Sequence, residues 1–426
     1  VQFTLDTELG RVDVDSTGVI VSEDGLVITS IALTRQSLPD EQMKNFKIIL
    51  PADPETEIDA TFQGRDERVN LAFYKINDSS AATKRTWKPI TFDEAASKSV
   101  RPGDEVFSVG VMPKPAGYKP YLMRATTSAV LRGPVPQVLV TGEGLAAVGA
   151  PVFNAEGKAI GVVQAQADQS PFLNDPRNPM GSVFNPPRMF VPAHDFVLGL
   201  KDPPTGQALS LAFSGMSQLT GLTKEVAEYY GLKDQPAVQV GDVIPGFAAE
   251  KAGVKPGDVI IKLDGEPLER GDQPEETWRI LTRKISRKKV GQDVTFTLIS
   301  AKDQPPREVK LTLVERPKPA SRAKRFWAED MGFTVREIVF DDTYERKLDR
   351  DTGGGVVALI KPNSSAQTAR LAIGDLITQF NGQPIKTLDE FKEQYEAFRK
   401  EKPNEAVVLE VIRGTNTQVI RIEPPQ

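Results

Sequence analysis

The sequence predicts a mainly β-protein in which an all-β barrel domain precedes two smaller α+β modules. Nine short apolar segments separated by turns run through residues 1–200, with few helical patterns between them. After residue 206, one sequence pattern occurs twice. Proline-rich linkers at 201–206 and 316–325 separate the three regions, since proline cannot continue a strand ladder. We therefore expect domains at 1–200, 207–316 and 325–426.

The barrel prediction depends on where the apolar segments lie. Such segments, spaced by glycine, proline and polar turns, are typical of strands in a closed or nearly closed sheet. The nine segments are residues 18–21, 26–28, 47–50, 58–62, 71–74, 106–109, 138–140, 159–163 and 189–191.

The internal repeat defines a first module (207–316) and a second module (325–426). The stretches AEKA at 249–252, PGDVI at 256–260 and GEP at 265–267 recur 117 residues later, as AQTA at 366–369, GDLI at 374–377 and GQP at 382–384. The same shift carries Gly215 onto Gly332. Each copy therefore predicts a short helix, a Gly-Asp turn, an apolar strand and a longer amphipathic helix.

The longer helix of each module has a recognisable apolar stripe. In the second module Thr387 and Glu390 form a capping-box pattern ahead of a stripe at helical spacing. That stripe comprises Leu388, Phe391, Tyr395 and Phe398, and the first module has Trp278, Leu281 and Ile285 in its place. We expect these side chains to face the core of each module.

Composition excludes several functions. The 426 residues contain no cysteine and one histidine, His194, so thiolate chemistry, cysteine-ligated metals and paired-histidine metal sites are excluded. With 53 basic and 58 acidic residues the net charge is −5, which argues against nucleic acid as the main partner. No apolar run reaches the ~18 to 20 residues of a membrane span. We expect neither a cofactor nor a bound metal.

Four stretches carry a family resemblance in the first 200 residues: STGVIVSEDGLVIT (16–29), IDATFQGRDERVNLAFYKI (58–76), VRPGDEVFSVG (100–110) and APVFNAEGKAIGVV (150–163). With them, residues 10–198 resemble the trypsin-like double β-barrel of the HtrA/Deg serine proteases. The first and second modules resemble PDZ domains. The order of a protease domain and two PDZ domains is also that of the HtrA/Deg family.

The resemblance places the three catalytic positions on residues without catalytic side chains. The histidine position falls on Ala32, the aspartate position on Asn70 and the serine position on Val148, with separations of 38 and 78 residues that fit the family order. Valine has no nucleophilic oxygen and alanine offers no base. Two glycines of the family motif are Ala146 and Ala150, which changes the backbone expected of the oxyanion hole. We therefore expect an inactive serine protease homologue rather than an enzyme.

His194 is the one imidazole available for catalysis. It follows the last predicted barrel strand, where the family has no catalytic residue, and a surface or helix-start position accounts for it. The alternative is a rebuilt dyad of His194 with Asp195 or a nearby serine.

Peptide binding is the function that the PDZ resemblance implies. A PDZ domain adds a peptide to a sheet edge while loop N–H groups hold its terminal carboxylate. The loops correspond to Ser214, Gly215 and Met216 in the first module and to Met331, Gly332 and Phe333 in the second. The expected partners are peptides or protein C-termini.

The resemblance also implies a setting for that binding. It implies an extracytoplasmic place, periplasmic or secreted, a chaperone-like or scaffold role in protein quality control, and homo-oligomers through the protease-like domain. The chain begins at Val1 rather than Met, so we expect an N-terminal segment, which could include a signal peptide, to have been removed.

Two alternatives to a non-catalytic peptide binder stay open. One is a serine-type endopeptidase or hydrolase with a non-standard active site. The other is a structural adaptor whose PDZ grooves are occupied by its own chain.

Overall fold

The computed structural model describes residues 1–30, 40–66, 69–77, 86–131, 137–164, 188–201, 203–204, 211–232, 235–271, 273, 276–349 and 351–425. The chain divides into two compact units. Unit 1 comprises Val1–Phe3, Val14–Arg35 and Asn45–Arg316, and unit 2 comprises Thr4–Asp13, Gln36–Lys44 and Pro317–Gln426. The domain boundaries at 200, 207, 316 and 325 stay a prediction.

Short strands dominate the first 200 residues. The described strands are β1 (Gln2–Thr7), β2 (Gly10–Asp15), β3 (Val19–Ile20), β4 (Leu26–Ser30), β5 (Met43–Leu50), β6 (Asp53–Asp66), β7 (Leu71–Ile76), β8 (Glu105–Val111), β9 (Pro120–Leu131), β10 (Gln137–Gly142), β11 (Pro151–Asn154), β12 (Ala159–Gln164) and β13 (Met189–Pro192). Helices α1 (Glu94–Lys98) and α2 (Val197–Lys201) and 3₁₀ turns at Asp40–Gln42, Lys114–Ala116 and Ala193–Asp195 complete this region.

Two antiparallel sheets form the trypsin-like part of unit 1. In the first, strands β5, β6, β7, β4 and β3 lie side by side in that order. The second is a closed barrel in the order β10-β13-β12-β11-β8-β9. A shared core joins the sheets, because Ile28 and Phe73 of the first pack with Val162 and Val191 of the second. Burial of these side chains removes apolar surface from water and stabilises the pair of sheets.

Eight of the nine predicted segments lie within described strands, and the ninth, 18–21, contains β3. Strands β1, β2, β9 and β11 were not predicted. In β9 six exposed positions alternate with less exposed ones over most of its length, and the polar stretch at 124–128 separates its two short apolar runs, 121–123 and 129–131. Alternation of this kind is typical of a strand with one face in solvent.

Residues 146–150 form a tight turn that packs on the first sheet. Gly149 has a φ of +89°, and a Cβ there would lie 2.0 Å from the Thr17 carbonyl oxygen and 2.4 Å from Thr29 Oγ1. Only glycine fits this combination of left-handed backbone and close approach. The Gly149 N–H donates to the Val163 carbonyl over 2.9 Å, which fixes the turn to β12.

The first module has one main sheet and two short ladders. Its strands are β14 (Ala212–Phe213), β15 (Met216–Ser217), β16 (Thr220–Gly221), β17 (Val238–Gln239), β18 (Asp242–Val243), β19 (Val259–Leu263), β20 (Glu266–Pro267), β21 (Asp293–Ile299), β22 (Arg307–Thr312) and β23 (Val314–Glu315). Its helices are α3 (Lys224–Tyr229), α4 (Ala248–Lys251) and α5 (Thr277–Ser286). β14 pairs with β23, and β15 pairs with β18.

The second module has one seven-stranded sheet. Its strands are β24 (Arg325–Ala328), β25 (Phe333–Glu337), β26 (Gly355–Ile360), β27 (Leu376–Phe380), β28 (Gln383–Pro384), β29 (Val407–Arg413) and β30 (Asn416–Ile422). Its helices are α6 (Phe340–Glu345), α7 (Ser365–Thr368) and α8 (Leu388–Glu401), and a 3₁₀ turn at Ala320–Arg322 precedes them. Six strands lie side by side in the order β24-β25-β26-β27-β29-β30, and the short strand β28 pairs with β27.

The repeated Gly-Asp turn has the same structure in both modules. Asp258 and Asp375 are 2 % and 1 % exposed, and each accepts a backbone N–H three residues earlier over 2.8 Å. Each also pairs with an arginine, Arg307 at 2.7 Å and Arg413 at 2.6 Å. A buried carboxylate needs such partners, which explains why aspartate recurs at this position of the repeat.

The amphipathic helices bury most of the predicted stripes, whereas Trp278 and Phe398 are only partly buried. Leu281 and Ile285 of α5 are buried, and Leu388, Phe391 and Tyr395 of α8 are buried against their module core. Thr387 Oγ1 accepts from Glu390 N over 3.1 Å, as a capping box requires. The Glu390 carboxylate instead accepts from Lys386 N over 2.7 Å, one residue before the cap.

Gly149→Ala tests the packing of the turn at 146–150. We expect the alanine variant to be less stable by about 1–3 kcal/mol from overpacking against Thr17, in addition to the cost of a left-handed alanine. Gly157→Ala is the matched control, because Gly157 also has positive φ but nothing within 4 Å of its Cβ position. Urea unfolding measures both, and equal losses of stability would contradict the close approach.

Candidate functional sites

The turn at 146–150 contains Val148, to which the sequence resemblance assigns the nucleophile position. Val148 is partly exposed at its tip, and Ala146 and Ala150 are fully buried. The Ala146 N–H donates to Ser108 Oγ over 2.8 Å inside the barrel. The N–H groups of Gly149 and Ala150 also have acceptors within the protein, whereas an oxyanion hole needs N–H groups directed at the substrate.

Of the other two assigned positions, the structure describes Asn70 only. Asn70 has a φ of +53° and immediately precedes β7. Leu71 pairs with Ser30 at the end of β4, and Thr29 of β4 lies against Gly149. Ala32 lies outside the described residues. The assignment of Ala32, Asn70 and Val148 to triad positions stays a prediction.

His194 lies in a polar cluster away from that turn. Its Nδ1 is 2.9 Å from Ser97 Oγ, and its backbone N–H donates to the same oxygen over 3.3 Å. Because Ser97 Oγ already accepts the backbone N–H, its own proton is free to point at Nδ1. Nε2 faces Asp195 Oδ2 at 3.6 Å. The structure thus brings serine, imidazole and carboxylate together, with the two ring nitrogens in reversed roles compared with a trypsin-like triad.

Burial controls the charge of this histidine. Desolvation lowers the pKa of His194 below its ordinary value, and the Asp195 carboxylate opposes that effect. Lys98 and Arg287 lower the pKa further. The imidazole is therefore neutral at pH 7 and able to accept a proton. His194 lies in the 3₁₀ turn that precedes α2, in agreement with the predicted helix-start position, but its side chain is only 27 % exposed and is hydrogen-bonded to Ser97.

Asp195 also contacts the first module, within unit 1. Its side chain is 5 % exposed, and Oδ1 accepts from Arg287 Nη2 over 2.7 Å. The same guanidinium nitrogen donates to the Asp195 carbonyl over 3.0 Å. Oδ2 is buried and, among the described residues, has no hydrogen-bond donor. Arg287 follows α5 directly, so this ion pair joins the His194 cluster to the end of that helix.

The loops predicted to bind peptide have the same scaffold in both modules. In the first, the Ser214 and Gly215 carbonyls accept from Ala249 N and Ile244 N, each over 2.8 Å. In the second, the Met331 and Gly332 carbonyls accept from Ala366 N at 3.0 Å and Lys361 N at 2.8 Å. The corresponding donor residues, 244 and 361 and also 249 and 366, are separated by the 117 residues of the sequence repeat, so the two loops are equivalent.

Two glycines hold these loops close to the rest of their modules. Gly215 and Gly332 have φ of +89° and +76°. A Cβ on Gly215 would lie 2.3 Å from Phe247 Cβ, and one on Gly332 would lie 2.4 Å from Ser364 Cβ. Neither loop can accept a larger residue at its glycine without moving.

The loops differ in what their N–H groups contact. Met216 N donates to Ser214 Oγ over 3.3 Å, whereas Gly332 N donates to the Ala328 carbonyl over 2.8 Å. Among the described residues, Gly215 N has no acceptor. Among the described residues, the predicted loop of Ser214, Gly215 and Met216 thus has one backbone N–H without an acceptor, whereas the loop of Met331, Gly332 and Phe333 closes a hairpin.

Two features are absent from the part of the chain that the structure describes. That part contains no group of three or more metal-ligating side chains. It contains no helix long and apolar enough to cross a membrane.

Family comparisons agree with the fold. Residues 16–162 match the trypsin-like peptidase domain, and residues 239–282 and 330–423 match PDZ domains. The chain is thus a mainly β-protein with a trypsin-like domain followed by two PDZ domains. It is similar over most of its length to the HtrA and DegP-like proteases, as the relatives and solved structures below show.

Three curated relatives carry the name probable periplasmic serine endoprotease DegP-like. The protein from Rhizobium meliloti is 28% identical over 386 residues, covering 88% of this chain and 68% of the relative. The one from Pseudomonas fluorescens is 26% identical over 407 residues, covering 93% and 76%. The one from Brucella suis is 25% identical over 416 residues, covering 95% and 72%. The predicted extracytoplasmic location is confirmed, because these relatives are periplasmic by name.

Solved structures show the same fold. The HtrA-type protease AlgW with tripeptide superposes with a TM-score of 0.54 at 18% identity, covering 75% of this chain and 94% of that one. AlgW with decapeptide gives 0.50 at 20% identity, covering 73% and 86%.

The comparisons correct one prediction. The chain was expected to be an inactive homologue and not an enzyme, but its relatives are named serine endoproteases across nearly its whole length. That prediction is contradicted. It rested on the three assigned triad positions and on Ala146 and Ala150, and it kept a rebuilt dyad at His194 only as an alternative.

The sequence did not reveal two contacts that the structure shows: Ser97 beside His194, and β24 beside β25. Ser97 is 97 residues from His194, and no local pattern connects them. β24 was missed because Arg325 was taken as the last residue of a solvated linker, although the RFWA segment that begins there is apolar enough to have suggested a strand.

Replacement of His194 tests its buried, neutral state. The folded-state pKa lies below the unfolded value of ~6.5, so the unfolded chain binds more protons between those two values. Stability is therefore lost as pH falls below ~6.5, by at most about 1.4 kcal/mol per pH unit.

The matched variant is His194→Asn, which keeps an acceptor for Ser97 but does not titrate. We expect the melting temperature of the wild type to fall more than that of the variant between pH 7.5 and pH 5.5. Parallel falls in both proteins would contradict a depressed pKa at His194.

Proposed function

We propose that the chain binds peptides through its first PDZ domain, which adds the peptide as a strand to the open edge of β15. The observation that carries this proposal is the pairing of β15. Among the described strands, β15 pairs only with β18, so its second edge has no strand beside it. An edge without a strand beside it can take up an extended peptide through backbone N–H and C=O groups.

The loop before β15 is suited to a terminal carboxylate. It leaves the Gly215 N–H without an acceptor among the described residues, and the Met216 N–H is held only by the hydroxyl of Ser214. A hydroxyl can rotate away when a charged oxygen competes for the same donor, because charge-assisted hydrogen bonds are about twice as strong as neutral ones.

The comparisons support a peptide as the ligand class. The two solved AlgW structures are described as complexes with a tripeptide and a decapeptide. The curated relatives are named as periplasmic endoproteases. On this basis the ligands are exposed C-termini of extracytoplasmic proteins, and the role is protein quality control. Self-association through the trypsin-like domain stays a prediction.

Gly215→Ala tests the first PDZ site. The added Cβ meets Phe247 and displaces the loop, so we expect binding of C-terminal peptides to fall at least tenfold, about 1.4 kcal/mol. Gly231→Ala is the control, because Gly231 has a φ of +72° in the same domain and open space at its Cβ position.

Fluorescence anisotropy with a C-terminal peptide library identifies a binder and measures both variants. Equal affinities for Gly215→Ala and Gly231→Ala would overturn the site. Amidated versions of the selected peptide show whether the terminal carboxylate is recognised, and unchanged binding of the amide would also argue against the proposal.

A second candidate function is serine-type hydrolysis at a non-standard active site. The observation that favours it is the contact of 2.9 Å between Ser97 Oγ and Nδ1 of the neutral His194. A serine is activated when an adjacent base takes its proton. Asp195, 3.6 Å from Nε2, would stabilise the imidazolium that forms.

Access is the requirement that this candidate must meet. Ser97 is 2 % exposed in the structure. Its oxygen lies between α1 and the 3₁₀ turn at Ala193–Asp195, so a substrate reaches it only when those elements separate. A compact electrophile such as a fluorophosphonate is therefore the appropriate first probe.

Fluorophosphonate labelling of the native protein tests the hydrolase candidate. We expect the label on Ser97, located by peptide mass spectrometry, and its loss in Ser97→Ala and His194→Asn. Ser99→Ala is the matched control, because Ser99 lies two residues further along and donates to the Ala96 carbonyl rather than to the imidazole. Absence of label, or label on another serine, would reject Ser97 as the nucleophile.

A further inference from the structure

The two PDZ domains of this chain differ at the edge where a peptide would bind. In the first domain the strand before the loop, β14, pairs with β23 and not with β15. Among the described strands, β15 therefore has a neighbour on one side only, β18. In the second domain, the strand before the loop, β24, folds back onto β25. β25 already pairs with β26 on its other side. Both edges of β25 are therefore filled.

β24 runs along β25 as a bound peptide would. The pairs are antiparallel and continuous, from Arg325 opposite Arg336 to Ala328 opposite Phe333. A further backbone bond joins Glu337 N to the Lys324 carbonyl at 3.0 Å. At the loop, the Ala328 carbonyl accepts from Gly332 N over 2.8 Å. The Ala328 carbonyl thus accepts from the loop N–H of Gly332. The equivalent N–H in the first domain, that of Gly215, has no acceptor among the described residues, and it could donate to a peptide carboxylate.

The side chains of β24 fill the space beside helix α8. The Phe326 ring lies 5.9 Å from the ring of Phe391 and 5.5 Å from that of Tyr395, both edge-on. Ala328 is 1 % exposed within the same core. Side chains alternate along a strand, so Phe326 and Ala328 face α8 whereas Arg325 and Trp327 face the other way.

The segment is also fixed at its start and on its outer face, within unit 2. The Glu337 carboxylate pairs with Lys318 and accepts from Lys324 N over 2.8 Å, which holds the linker just before β24. Glu8 accepts from Thr334 Oγ1, on β25, over 3.1 Å and attracts the Arg325 guanidinium. The basic linker is thus partly anchored and is not a free tether.

We propose that residues 325–328 occupy the peptide groove of the second PDZ domain as an internal ligand, and that the groove accepts C-termini of the same chemistry. Such C-termini have a small apolar last residue and an aromatic residue two positions before it. This inference rests on the proposed peptide-binding function and extends it to the second domain, where it defines both the ligand class and the state of the groove. The self-occupied groove, an alternative for both PDZ domains in the sequence analysis, is thereby proposed for the second domain only.

The test releases β24 and offers the same sequence as a free peptide. The variant Phe326→Ser removes the ring that packs on α8, and the probe is the labelled pentapeptide Lys-Arg-Phe-Trp-Ala with a free carboxylate. We expect the full-length variant to bind this peptide at least tenfold more tightly than the wild type, because the internal ligand no longer competes. The amidated pentapeptide should show no such gain.

Trp327→Ser is the matched control, since it removes a neighbouring aromatic side chain from the opposite face of the same strand. It should leave the affinity for the pentapeptide near that of the wild type. Phe326→Leu provides a second variant that keeps an apolar side chain if the serine variant does not fold. It should change the affinity in the same direction by a smaller factor.

Hydrogen exchange at the amides of residues 332–337 reports release of β24 directly. Faster exchange with tighter peptide binding supports the proposal. Unchanged exchange overturns self-occupancy, and faster exchange without peptide binding overturns the groove as a peptide site. A failure of the proposed function in the first domain is seen separately, through the Gly215→Ala comparison, because that site does not involve β24.

Discussion

The pairing of strand edges is the constraint on which the organisation of this protein depends. A strand with an unpaired edge exposes backbone donors and acceptors that water, another strand or a ligand must satisfy. The second sheet of the trypsin-like domain meets this constraint by closing into a barrel. The second PDZ domain meets it by folding β24 back onto β25. In the first PDZ domain β15 has a described strand on one side only, and this difference separates an available groove from a filled one.

Much of the fold could be predicted from the sequence because the repeat fixes equivalent positions. The shift of 117 residues, read from alanine pairs and Gly-Asp turns, also relates the backbone donors at 244 and 361 and those at 249 and 366. Buried Asp258 and Asp375 explain why the Gly-Asp turn recurs. Strand pairing was less predictable. The same module places β14 against β23 but β24 against β25, and that choice depends on contacts with residues far away in the chain.

The candidate catalytic cluster shows the limit of local patterns. His194 was identified by its uniqueness, and Asp195 by its adjacency, but the position of Ser97 depends on how α1 packs against the turn at Ala193–Asp195. The lowered pKa of His194 likewise follows from burial, which no sequence motif encodes. The assigned positions Asn70 and Val148 follow from alignment alone, and the structure adds that their loops border β4. Alignment to a family could not reveal groups that the family does not use.

The four-residue turn between β24 and β25 sets how the second PDZ domain would respond to ligand. A segment joined to its groove by so short a connection has an effective local concentration in the millimolar range or higher. A separate C-terminus must exceed that advantage through higher affinity or abundance before it displaces residues 325–328. The second domain would then remain unresponsive to scarce ligands and respond when many exposed C-termini accumulate.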